Sequence, residues 1–409
     1  MPVAVEPSDV LPNRVGITMP RMKRIALLLA VCIVWSCASA LAQDAARPLR
    51  PVHTFSIVAR DPQTGELGAA VQSHWFAVGT GVIWAEAGVG AVATQSFIDP
   101  SYGKLGLDLM RAGRSAPDAL RGLLVADSGR DVRQVAFIDA QGQAGSFTGA
   151  KDIPAAGGIV GSAQKPPQKG DKNSPPGSGR LQMLVGQDFA VQANLMLNDQ
   201  IWPAMAKAFQ ETKGDLAERM LAALDAAQRA GGDIRGRQSA ALIVVSGKNT
   251  GKPWADRVFD VRVDDAPQPL MELRRLVTLQ RAYNHMNAGD AAVEHHDNEA
   301  ALREYSAAEE IASKTEGVPQ SRLAEMIYWH AVALVTMGRV DESLPLFRRV
   351  FSMDKNWATL TSRLPGVGLL PDDRAILDKI LGQSITLSIR PQPFCQDLEL
   401  NGQKVRTCN

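Results

Sequence analysis

Residues 54–99, TFSIVARDPQTGELGAAVQSHWFAVGTGVIWAEAGVGAVATQSFID, constrain the fold more than any other stretch of the chain. Alternation over 54–59, the turn chemistry of Asp61-Pro62-Gln63-Thr64-Gly65 and the apolar run 67–71 together predict a β-hairpin. Polar residues gather at the strand ends. Thr54 opens the first strand, Gln72, Ser73 and His74 close the second, and Thr94, Gln95 and Ser96 close a later strand over 89–93. That arrangement predicts a buried sheet with its chemistry along one rim.

Further signals continue the pattern. Helices are expected over 105–112 and 116–126, separated by Gly113 as a stop and Ser115 as an N-cap. Strands over 135–138 and 144–148 flank the turn Asp139-Ala140-Gln141-Gly142. Residues 162–180 are rich in proline, glycine and lysine and cannot bury a core, so a mobile surface loop is expected there. A strand over 189–194, helices over 201–211 and 216–230 ended by Gly231-Gly232, and strands over 240–245 and 257–263 complete the region. The order of strands and helices predicts an α+β domain, with helices layered on a mostly antiparallel sheet.

Pro267 and Pro269 break the strand pattern and mark a boundary after 266. Beyond it Leu302 with Tyr305 recurs as Leu344 with Phe347, an offset of 42 residues. Ala331, Leu334, Gly338 and Phe347 resemble the small, aromatic and glycine positions of a tetratricopeptide repeat, although His296 stands where the first copy would want glycine. An all-α helical-repeat domain over 267–385, docking a protein partner, is therefore expected.

Arg21, Lys23 and Arg24 precede an apolar run over 25–35 that ends in Ala40-Leu41-Ala42, the pattern of an export signal cut before Gln43. Residues 1–42 are thus expected to leave, 43–53 to form a spacer or propeptide, and the mature protein to be periplasmic or secreted with no stable membrane span. Cys395 and Cys408, in a tail over 386–409, are then the two remaining cysteines, and a disulfide between them suits an oxidising compartment. A formal net charge of +1 gives no electrostatic reason to expect nucleic acid or an anionic membrane as partner.

No cofactor or metal is expected. Gly79-Thr80-Gly81 lacks the lysine of a phosphate loop, and the neighbouring side chains of His295-His296-Asp297 diverge on a helix. What remains is the strand-opening hydroxyl of Thr54. An N-terminal threonine can use its own α-amine as the base that takes the Oγ proton.

TFSIVARDPQTGELGAAVQSHWFAVG, WAEAGVGAVATQSFIDPSYGKLGLDLMRAG, FAVQANLML and GGDIRGRQSAALIVV resemble the family called domain of unknown function 1028, which is assigned to the N-terminal-nucleophile hydrolase superfamily. The resemblance covers about 54–265. It implies a four-layer αββα fold over 54–266 and an amide hydrolase acting on a small amide or peptide. Thr54 matches the nucleophile position, and Ser56 lies on the same strand face. Asn194 with backbone amides would hold the oxyanion, and Gln72, Ser73, His74 and Gln95 would line the rim. Asp233, Arg235, Gln238 and Ser239 would anchor substrate. Other roles stay open at this point. Thr54 can simply begin a strand, Asp233 with Arg235 can be a structural ion pair, and Asn194 can satisfy buried backbone groups. Gln43 to His53 also precede Thr54, so its amine is free only after a second cleavage. Without one, the domain would be a non-catalytic ligand- or protein-binding module on the same fold.

Overall fold

A computed structural model describes residues 54–162, 182–384, 395–400 and 403–408, the last two for their backbone alone. The expected export signal, the spacer 43–53 and nearly all of the expected loop 162–180 lie outside the described residues.

The first hairpin forms as its sequence dictates. Strand β1 (Thr54–Arg60) pairs antiparallel with β2 (Leu67–Ser73), Thr54 opposite Ser73. Asp61 closes the turn by accepting from the backbone N–H groups of Gln63 and Thr64, while Gly65 takes the positive φ that the reversal needs. Nine further strands follow: β3 (Ile83–Glu86), β4 (Gly90–Ser96), β5 (Arg133–Asp139), β6 (Gln143–Thr148), β7 (Gly157–Val160), β8 (Met183–Gln187), β9 (Phe189–Ala193), β10 (Ser239–Val245) and β11 (Arg257–Val263). They assemble into a six-stranded sheet, ordered β11-β10-β2-β1-β9-β7, and a five-stranded sheet, ordered β3-β4-β5-β6-β8. Every pairing is antiparallel.

The period of two sorts β1 between two cores. Phe55, Ile57 and Ala59 face one core together with α3 (Ile201–Glu211) and α4 (Leu216–Arg229), through Met205, Phe209, Met220 and Leu224. Val58 faces another, shared with Ala91, Ala93, Ala136 and Ile138 of the five-stranded sheet. That sheet presents Val92, Val135 and Phe137 to a third core with α1 (Ser101–Arg111) and α2 (Ala116–Ala126). Helix α1 approaches closely because Gly103 and Gly106 lack Cβ atoms, which would stand 2.4 Å from the rings of Trp84 and Phe137. Ser115 caps α2 by accepting from the Asp118 N–H, and Gly232 N–H closes α4 onto Ala227 O, both as the sequence predicts.

Helix α5 (Pro269–Glu294) carries the chain out of the first core and into another. Leu270, Leu273 and Val277 belong to the core of the six-stranded sheet. Ala282 and Met286 belong to the helical core of α6 (Asn298–Lys314), α7 (Gln320–Thr336), α8 (Val340–Met353), α9 (Asn356–Thr361) and α10 (Arg374–Leu381). Arg274 bonds Glu218 and Asp225 of α4 at 2.7 and 2.6 Å, tying the first half of α5 to the sheet-bearing region. An offset of 42 residues relates several positions of α6 and α8. Ala301 and Tyr305 are buried on α6 as Ser343 and Phe347 are on α8, and the turns before them place His296 at φ 60 and Gly338 at φ 77. His296 is followed by Asp297, which caps α6 through the Ala300 N–H. At the tail, β12 (Cys395–Leu400) pairs with β13 (Gln403–Cys408), and the register sets Cys395 opposite Cys408.

The chain is thus a mixed α+β protein with two antiparallel sheets and a C-terminal helical region. Three strands were not legible in sequence. Gly157-Gly158-Ile159-Val160 reads as loop by its glycines, β8 borders the proline-rich stretch, and β3 is a four-residue edge strand next to a turn.

Candidate functional site

Thr54, Ser56 and Val58 share the face of β1 that looks toward the five-stranded sheet, so the rim where β1 begins lies between the two sheets. Polar side chains from both sheets meet there, and those of Thr54, Ser56, Gln95, Gln134, Gln192 and Asn194 are sealed from solvent. Ser56 Oγ donates to Gln95 Oε1 at 2.6 Å. Gln95 Nε2 donates to the carbonyl of Thr54 at 2.9 Å and to Gln134 Oε1 at 2.6 Å. Asn194 Nδ2 donates to the same Gln134 Oε1 at 2.9 Å, and Asn194 N–H reaches the Thr54 carbonyl at 3.1 Å. Gln134 Nε2 in turn donates to Ala193 O and Thr148 Oγ1, both at 2.9 Å. Gln192 Nε2 donates to Ala93 O at 3.1 Å, across the sheets. The residue that opens β1 is therefore held by an amide network rather than by packing alone. Within it Asn194 Oδ1 is buried with no hydrogen-bond partner.

A second cluster borders the first. Asp233 is 3% exposed and accepts from four donors: His74 N–H, Arg235 N–H, Arg235 Nε and Arg235 Nη2. Its backbone also forms an antiparallel β-bridge with Met196, two residues past Asn194, so Asp233 ties the end of β2, through its carboxylate and the His74 N–H, to the end of β9, through its main chain. Ser73 lies between Thr54 and Ser239 in the register, but Ser239 Oγ is committed to the following turn, donating to Trp75 O and accepting from Val78 N–H. Gln238 points elsewhere, its amide donating to Asp265 at 3.1 Å. Gln72 pairs with Phe55 and Ala240 and shares their face, turned toward the helices and away from Thr54. The rim thus gathers Thr54, Ser73, Gln95 and Asn194, with His74, Asp233 and Arg235 at its edge.

Sequence reasoning singled out Ser96 but passed over Gln134, Gln192, Ser146 and Asp152, the partner of Ser96. The signal was a polar residue one step inside several otherwise apolar strands, as in RQVAF and FAVQA. Ser96 ends β4 at φ 67 and donates to Asp152 Oδ1 at 2.6 Å, while Gly149 N–H donates to the other oxygen. Burial pushes the Asp152 carboxyl up to about 6, against the lowering effect of those two bonds. Leu195, next to Asn194, also has a positive φ of 54. Backbone strain at two points of one rim, beside a carboxyl with a raised pKa, is a pattern found at functional sites.

The family of unknown function DUF1028 matches residues 54–165 and 170–273, more than half of the chain. This chain belongs to the DUF1028 family. Its match begins at Thr54, the strand-opening residue, and ends at Leu273 in the first half of α5. The crystal structure of protein SPO2555 from Silicibacter pomeroyi, another DUF1028 protein, is 27% identical over 55% of this chain and 87% of its own, with a TM-score of 0.44. No curated protein matches. Membership in DUF1028 brings no assigned reaction, so the chemistry must be argued from the rim. Among the described residues no group of three or more histidine, cysteine or acidic side chains could hold a metal ion, and no helix is long and apolar enough to cross a membrane.

Proposed function

We propose that this DUF1028 protein is an exported amide hydrolase whose nucleophile is the Thr54 hydroxyl, released when the bond to His53 is cut. The observation that carries the reading is the double clamp on the Thr54 carbonyl, from Gln95 at 2.9 Å and Asn194 at 3.1 Å, at a rim lined with amides. It fixes the first residue of β1 at the place where a new N-terminus would lie. The succession of cores, helices on sheet, sheet on sheet, sheet on helices, is also the layer order of the four-layer αββα N-terminal-nucleophile fold.

In this mechanism the free α-amine of Thr54, with an ordinary pKa near about 8, accepts the Oγ proton as Oγ attacks the substrate carbonyl carbon. The oxyanion is met by the Asn194 amide and neighbouring backbone N–H groups. Collapse breaks the C–N bond, the α-ammonium returns its proton to the leaving amine, and water then hydrolyses the ester with the α-amine again as base. The substrate is a small amide or peptide. Helices α6 to α10 act as tetratricopeptide-like repeats that dock a protein partner, and Cys395 with Cys408 forms a disulfide once the chain reaches the periplasm or exterior.

Mass spectrometry of protein matured in its native host should find Thr54 at the N-terminus. Thr54→Ala should then abolish the amidase activity found in a substrate screen with the fold intact, and Thr54→Ser should keep part of it. Complete burial of Thr54 favours a second reading while the His53 bond stands: a non-catalytic binding module using the same rim. Mature protein that begins at Gln43 and is indifferent to Thr54→Ala would establish that one instead.

A further inference from the structure

Behind the six-stranded sheet, on the face away from Thr54, the end of β2, the last turn of α4 and the first turn of α5 enclose a cleft of about 130 Å³. Gln72 lines it, is fully buried, and has no hydrogen-bond partner at either Nε2 or Oε1. Gln228 lines it too, and its buried Oε1 is likewise unpartnered. Buried amides almost always find partners, so three orphaned atoms facing one cavity mark a place where something polar belongs.

The charge around the cleft says what kind of group that is. The 26-residue helix α5 begins here with Gln268 at its N-cap position and no side chain capping it, leaving backbone N–H groups and the positive end of the helix dipole at the cleft wall. Arg229 and Arg237 complete the lining, and among the described residues neither has an ion-pair partner. The one acid present, Asp225, is already held by Arg274 at 2.6 Å. The opposing α4 terminus adds little negative potential, because Gly231 and Gly232 N–H groups cap its last carbonyls. An anion is favoured at one end, and a group that both donates and accepts hydrogen bonds at the other.

We propose that this cleft binds a small carboxylate carrying a carboxamide, with the carboxylate between the α5 N-terminus and the two arginines and the carboxamide paired with Gln72 and Gln228. The arginine fork matches a planar carboxylate in two parallel hydrogen bonds. A primary amide is the complement of the Gln72 amide, since the NH2 of each can donate to the carbonyl oxygen of the other. The cavity has room for a molecule of amino-acid size. The site stands apart from the chemistry proposed for Thr54, and neither depends on the other.

Thermal unfolding and calorimetric titration of the full chain with L-asparagine, L-glutamine, acetate and inorganic phosphate test the proposal. One of the two amide-bearing acids should raise the melting temperature and bind more tightly than acetate or phosphate. Arg237→Gln, at an exposed position, should weaken that binding about tenfold or more, the loss expected for a charge-assisted hydrogen bond. Gln72→Met should erase the preference over acetate and raise the melting temperature of ligand-free protein, because it removes an unpaired buried amide. Thr54→Ala should leave binding unchanged. The proposal falls if none of the four probes binds at about 10 mM, weaker than the usual range for specific small ligands. It falls also if phosphate is preferred, or if Arg237→Gln leaves the preferred acid's affinity intact.

Discussion

The carbonyl oxygen of Thr54 is shared by the backbone N–H of Asn194 and the side-chain amide of Gln95, one donor from each sheet. This contact joins the sheets at the rim, and its strength depends on Gln134, which accepts from both Gln95 and Asn194.

Within this network Gln134 is therefore the residue whose loss should cost most. Gln134→Leu would leave the Gln95 and Asn194 amides short of an acceptor and the Ala193 carbonyl short of a donor, at a cost of about 2 to 4 kcal/mol. Asn194→Ala should cost only about 1 kcal/mol, because Gln134 Oε1 keeps Gln95 and an orphaned Oδ1 disappears with the side chain. Urea titrations of both variants measure the difference. On the hydrolase reading the ranking inverts for activity, and Asn194→Ala lowers kcat by about 100-fold.

Asp152 gives stability a pH dependence. Its carboxyl lies near about 6 in the folded protein, against an ordinary value of 3.8. Between about pH 4 and pH 6 the folded state therefore keeps a proton that the unfolded chain has released. The contribution of this group to stability is greatest below that window and is lost as pH rises through it, by about 1 to 3 kcal/mol. Asp152→Asn should flatten this slope and be the more stable protein at pH 7.5, as measured by denaturation at a series of pH values.

The helical region does not begin where the sheet-bearing core ends. A chain stopped at Ala266 lacks Leu270, Leu273 and Val277, each of which contributes about 1.5 to 3 kcal/mol by burial. That sum rivals the whole stability of an ordinary domain. Residues 54–266 should show no cooperative thermal transition, whereas 54–294, which keeps α5, should show one.

Residues directly opposed in an antiparallel ladder have Cα atoms about 4.5 to 5.5 Å apart, inside the range that a disulfide spans. Cys395 and Cys408 hold that relation. Exported protein should show no reactive thiol before reduction and two afterwards, and reduction should cost the tail hairpin about 3 kcal/mol. Two cysteines labelled without reductant would overturn this.

What could be read from the sequence was local. The hairpin turn at Asp61, the Ser115 cap and the Gly231-Gly232 stop each depend on residues within a few positions of one another. The rim was half legible. Thr54, Ser73, Gln95 and Asn194 announce themselves as polar residues at strand ends. Gln134 and Gln192 do not, because their partners lie 14 to 136 residues away and only strand pairing and sheet packing bring them together. Gln72 and Ser73 read alike in sequence, yet the strand period sends adjacent side chains to opposite faces, and only pairing tells which face is which. The double duty of α5 was hidden for a related reason: Leu270, Leu273 and Val277 serve one core, Ala282 and Met286 another, so no single apolar stripe runs its length.

Helix α5 has one further property, which concerns descent rather than chemistry. Between Val277 and Ala282 there is no loop to absorb a change of length. One residue inserted there would turn everything downstream by about 100° and advance it by about 1.5 Å, pulling either Val277 or Ala282 out of its core. Insertions of about seven or about eleven residues, close to two or three full turns, would restore the phase. Relatives that keep both cores should accordingly vary in their surface loops while the count of residues across α5 stays constant.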